Sequence, residues 1–232
     1  MSNELILLAG TAATIGFFHT LLGPDHYLPF IFMAKARKWT MFKTIWVTIL
    51  CGIGHVGSSI VLGLAGVIFG LALGKLEMFE GIRGDLAAWA FVLFGLVYFI
   101  WGLRRAILNK PHKHSHIHED GTVHVHEHGH HSEHDHIHKK NITPWILFVI
   151  FVLGPCEPLI PILMYPAAQH STFGMVFITV IFAIVTIATM LGVVLVATYG
   201  ISLMRFGKLE RWTHALAGAI VLLSGIAILM GL

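Results

Sequence analysis

The chain has 232 residues, 56% of them hydrophobic and 12% charged, with a net charge of +3 and a mean hydropathy of +0.79. So few charges and so much apolar sequence exclude an ordinary soluble domain. The two cysteines, Cys51 and Cys156, are too few for a disulfide framework. The pI near 9.0 comes from residues that flank apolar runs, so it is no sign of nucleic acid.

Apolar runs cover 5–34, 42–73, 86–105, 143–168, 172–203 and 211–231. Each is long enough, as a helix, to cross about 30 Å of hydrocarbon. The reading is an all-α polytopic membrane protein with six transmembrane helices. The opening Met-Ser-Asn-Glu lacks a basic n-region, so the first run is read as a span rather than a cleaved signal. Of the basic residues, all but Lys75 and Arg83 fall in the loops after the first, third and fifth spans. That bias places both termini outside and the large middle loop in the cytoplasm. A bacterial or archaeal cytoplasmic membrane is the expected location, with the lipid bilayer as the constant partner.

Within the first and fourth spans, Gly23-Pro24-Asp25-His26-Tyr27-Leu28 matches Gly154-Pro155-Cys156-Glu157-Pro158-Leu159. At the same offset Ile31, Met33 and Ala36 match Ile162, Met164 and Ala167. Proline removes a backbone donor and disfavours helix in the residue before it, so helices 1 and 4 are expected to break at Gly-Pro. Three spans separate the copies, so the halves are expected to be inverted three-helix repeats, a transporter plan. The domains are then 1–106, a loop 107–142, and 143–232.

Ionisable residues inside a bilayer are costly and usually functional. Those in the apolar runs are His19, Asp25 and His26, Cys51 and His55, and Cys156 and Glu157. No Lys or Arg is expected at their depth, which favours a cation as ligand. Imidazole, carboxylate and thiolate suit a divalent transition metal better than magnesium or calcium. The expected metal site is His19, Asp25, His26, His55, Cys156 and Glu157. Cys51 and His55 also fit packing roles. His170 and His214, near the membrane edges, are not expected to be ligands.

The middle loop holds most of the chain's 17 histidines: His112, His114, His116, His118, His124, His126, His128, His130, His131, His134, His136 and His138. Little there is apolar, so the loop is expected to be disordered without metal and to bind transition ions loosely.

His19-Thr20-Leu21-Leu22-Gly23-Pro24-Asp25-His26 resembles the histidine signature of the nickel/cobalt transporter family, closest to its urease-accessory-type nickel permease branch. Here five residues, Thr20 to Pro24, separate the first histidine from the aspartate, one more than in the better-known permease motif. The resemblance implies contacts to the ion from His19, Asp25 and His26, with His55 as a further one. The resulting expectation is a secondary permease for nickel or cobalt, with zinc next, working in uptake or in efflux. It carries no permanently bound cofactor, is not an enzyme, and has a cytoplasmic metallochaperone as a candidate partner. The Gly-Pro-Cys-Glu-Pro segment also resembles the proline-flanked cysteines of membrane thiol–disulfide electron carriers. The alternative is therefore such a carrier, using Cys51 and Cys156.

Overall fold

The computed structural model describes residues 3–108, 112–117, 123–128, 142–169, 171–203 and 207–231. Helix α1 (Asn3–Leu22) stops at Gly23, a 3-10 turn (Pro24–His26) follows, and α2 (Leu28–Ala36) resumes the course. Helices α3 (Met41–Ile68) and α4 (Leu73–Leu108) complete the first half. The second half has α5 (Thr143–Leu153), α6 (Leu159–Ala168), α7 (Thr172–Leu203), a 3-10 segment (Gly207–Trp212) and α8 (Thr213–Leu229).

Among the described residues five helical stretches are long and apolar enough to cross a membrane, while Thr143–Leu153 is a shorter apolar helix. The architecture is that of a polytopic membrane protein. Large side chains such as Leu22, Ile68 and Val196 are about three-quarters exposed, a surface that lipid covers and water does not tolerate.

Both Gly-Pro steps interrupt helices. Gly23 donates to the His19 carbonyl at 3.1 Å as the last α-helical bond of α1, and Pro24 then opens the tighter turn. Gly154 likewise donates to Ile150 at 2.9 Å, and its extended backbone (φ −59, ψ 132) ends α5 before Pro155. Elsewhere boundaries are conventional: Thr40 caps α3 by accepting from the Lys43 amide at 3.2 Å.

The longest interface joins α4 and α8. Gly95 meets Leu222, Gly102 meets Ala215 and Gly218 meets Phe99, with an added Cβ clashing on backbone in each case. Gly225 would meet Val92 N at 2.7 Å. Residue numbers rise on one helix as they fall on the other, so α4 and α8 are antiparallel and pack backbone to backbone. Helix α3 runs alongside α5 and α6, with Gly54 against Phe148 and Val152, and Gly63 against Leu163. Helix α1 lies on α7, where Gly16 faces Phe182 and Thr186.

Three expectations change. The third span begins at Leu73, not near 86, so α4 carries Glu80 and Arg83 within a 36-residue helix. An arginine therefore does penetrate the bundle. The loop expected to be disordered contains an antiparallel pair of strands, β1 (His112–Ile117) and β2 (Val123–His128). His112, His114 and His116 stand opposite His128, His126 and His124. The Val and His that alternate in β2 are compatible with a strand despite its polarity. His118, His130, His131, His134, His136, His138 and His170 lie outside the described residues.

Candidate functional site

The 3-10 turn at the first break brings three imidazoles together. One ring nitrogen from each of His19, His26 and His55 lies within 4.8 Å of the others. The closest pair is His26 Nε2 and His55 Nε2 at 3.3 Å. The His26 ring stands edge-on to both neighbours, at 4.8 Å from His19 and 4.9 Å from His55 between centroids. His26 and His55 are buried, and His19 Nε2 is buried with no hydrogen-bond partner.

Local backbone geometry makes this possible. In a continuous helix His19 and His26 would be two turns apart, roughly 10 Å along the axis. The break folds His26 back, so that an added Cβ on Gly23 would lie 2.6 Å from His26 Nδ1. Only glycine leaves room for the ring there. Helix α3 presents His55 from the opposite side, beside Phe151 of α5 at 6.2 Å.

Asp25 does not join the group of ligand atoms. Its Oδ1 is 3.2 Å from His26 Nδ1, which also faces the Gly23 carbonyl at 3.1 Å. Both partners accept, so they select the tautomer with the proton on Nδ1 and leave the Nε2 lone pair facing His55. Two ring nitrogens 3.3 Å apart then need a proton or a cation between them. A carboxylate orienting an imidazole in this way is the usual outer partner of a metal-ligating histidine. Asp25 thus stands behind His26 and not among the gathered ring nitrogens.

A cavity of about 550 Å³ opens over the cluster. His19, Asp25, His26 and His55 line it from the first half, and Gly154, Pro155, Glu157 and Pro158 line it from the second break. The rest of the wall is apolar apart from Thr14, and includes Phe91, Ile150 and Phe151. The two breaks thus share one cavity. Glu157 lies on its wall but outside the three-histidine group.

The cysteines stand elsewhere. Cys156 is fully buried in an apolar cluster with Ala12, Val56, Leu159, Ile178 and Phe182, and it does not line the cavity. Cys51 is buried in a second cluster with Val47, Phe30 and Met190. Both are free thiols. The Cys156 amide donates to Ser59 Oγ at 3.1 Å, and Ser59 is eight residues beyond Cys51 on α3. That spacing is about 12 Å of helix, whereas a disulfide needs Cα atoms roughly 4.4–6.8 Å apart. The thiols therefore do not meet in this arrangement, and Cys156 is not beside the histidines as expected.

Two residues absent from the expected site are prominent. Arg83 on α4 pairs with Glu80, also donates to Ser58 Oγ, and reaches the carbonyls of Val152 at 2.9 Å and Gly154 at 3.3 Å. Glu80, with a side chain 1% exposed, accepts from the Cys156 amide through its other oxygen at 3.3 Å. The signal was present in the sequence: charges three residues apart on one helix can pair. The polar run around them falls between the apolar runs 42–73 and 86–105 and reads as a loop in the sequence. His214, set aside as a ligand, bonds through Nδ1 to the Tyr98 hydroxyl at 2.8 Å.

No curated protein and no solved structure matches the chain. A family model does match, over residues 26–227, described as cytochrome C biogenesis protein transmembrane region. This finding overturns the nickel/cobalt transporter resemblance and the permease function built on it. That resemblance rested on His19 to His26, and all of that motif except His26 precedes the matched region, which takes in both cysteines and His55 of α3. By the extent of this match, the chain belongs to the family of the cytochrome C biogenesis protein transmembrane region.

Proposed function

We propose that this protein is a membrane thiol–disulfide electron carrier of cytochrome c biogenesis, using Cys51 and Cys156. The family match, which spans both residues, carries this reading. The chemistry is exchange: two thiols on this chain reduce a disulfide of a partner protein to two thiols. The chain is left with one intramolecular disulfide, and a dithiol on the other side of the membrane reduces it again. The placement of Cys156 supports the reading. It sits just past the second break, where the chain has left helical bonding, so moving it displaces a short irregular segment instead of unwinding a helix. The separated thiols correspond to the reduced state.

The layout that serves this role is six crossings in two inverted halves, with α5 and α6 forming one broken crossing. Supporting it, Gly95 meets Leu222 just as Gly225 meets Val92, a reciprocal contact expected of a two-fold relation. The basic loops favour both termini outside and the histidine loop in the cytoplasm.

The test uses liposomes with a dithiol reductant inside and a disulfide protein outside. Wild type should pass reducing equivalents, and Cys51→Ser and Cys156→Ser should each abolish transfer. Full transfer by the double serine variant would overturn the reading.

The histidine cluster favours a second property of the same chain. His19, His26 and His55 hold a divalent transition-metal ion by their ring nitrogens, with Asp25 orienting His26 and Glu157 facing the site across the cavity. The loop histidines bind further ions at lower affinity.

A further inference from the structure

A charged pair inside a bilayer needs a reason to be there, and the surroundings of Glu80 and Arg83 supply one. Where α5 ends at Leu153, its last carbonyls lose their helical partners, and the Cys156 amide lies in the irregular stretch between α5 and α6, outside any helical ladder. Arg83 donates to two of those carbonyls, Val152 at 2.9 Å and Gly154 at 3.3 Å. Glu80 accepts, together with Ser59, from the amide of Cys156 just before α6. The positive head thus lies on the negative end of α5 and the carboxylate on the positive side of α6, the arrangement that favours both helix dipoles. Arg83 further reaches Ser58 and Ser59 on α3. One ion pair on α4 therefore ties the broken crossing to α3.

We propose that the Glu80–Arg83 pair is a latch that holds the second break against α3 and keeps the Cys156 thiol in its apolar pocket. Cys156 leaves that pocket only when the carbonyls of Val152 and Gly154 come off the guanidinium. Breaking a buried pair by removing one partner strongly favours such opening. Cys51 touches none of these groups and sits mid-helix in α3, so it reports on general loosening of the bundle. If Cys156 is an exchanging thiol, as proposed above, the latch sets when it meets its partner. That consequence rests on the carrier reading, whereas the latch itself does not.

The experiment measures maleimide modification of each cysteine in the intact protein in lipid nanodiscs, resolved by peptide mass spectrometry. When opening is fast relative to modification, the rate follows the open population. Arg83→Gln should raise the Cys156 rate by about tenfold or more, leaving Cys51 within about twofold on the same scale. Arg83→Lys, which keeps the charge but not the forked donors, should fall between. Unchanged Cys156 modification, or equal acceleration at both cysteines, would overturn the latch. If Arg83→Gln does not fold, Glu80→Gln decides by the same criterion. Selective acceleration at Cys156 with no reductant transfer by wild type would remove the carrier reading and keep the latch.

Discussion

Adjacent residues at the first break do different work. His26 turns its Nε2 toward His55, and Asp25 stands behind it on Nδ1. Removing an outer carboxylate typically costs 10–100-fold in metal affinity. In a chain whose loop histidines are replaced, Asp25→Asn should therefore weaken zinc binding by about 10–100-fold and keep its stoichiometry. His26→Ala and His55→Ala should each abolish it. Isothermal titration checks both, and an unchanged affinity in Asp25→Asn would show that the carboxylate does not orient the ring. His19, His26 and His55 were legible as a group, because ionisable residues in apolar runs stand out. The role of Asp25 was not, since it depends on the 3-10 turn that sets its carboxylate against its neighbour's ring.

Among the elements, α4 and α8 meet through Gly95, Gly102, Gly218 and Gly225, where any Cβ would press on backbone. Overpacking a close contact costs about 1–3 kcal/mol or more. Gly95→Leu and Gly218→Leu should each lower the thermal midpoint in detergent by that much stability. Gly57→Ala, at a position with nothing within 4 Å, should be neutral or slightly stabilising. A midpoint unchanged in Gly218→Leu would show that the helices can separate there without cost. The breaks after Leu22 and Leu153 were readable from proline chemistry alone. The start of α4 was not: Lys75, Glu77, Glu80, Arg83 and Asp85 dilute the apolar signal, and only the contacts of Glu80 and Arg83 with the second break show why a membrane helix contains that pair.

For the whole molecule, the two breaks converge on one cavity from opposite halves, while the strands β1 and β2 pair with each other. Replacing 109–141 by a short flexible linker should leave the melting transition and the Cys156 modification rate unchanged, because the latch and the histidine cluster lie in the helices. It should remove most of the zinc-binding capacity. A lowered melting midpoint, followed by circular dichroism, would show that the loop supports the bundle.

Hydropathy and proline placement are enough to show a membrane protein with two matched Gly-Pro breaks and a small set of ionisable residues to consider. Length, hydropathy and proline act locally, so they are readable in one dimension. A short motif around His19 to His26 was not enough to decide the family, because a few residues of metal-capable type recur in unrelated chemistry. Tertiary structure alone decided which ionisable residues meet. It gathered His19, His26 and His55, turned Cys156 away from them into an apolar cluster, and set Arg83 and Glu80 on the loose ends of the second break. Those outcomes depend on how helices distant in sequence cross, and the seven-residue glycine spacing on α4 and on α8 marks a close contact without naming the partner helix.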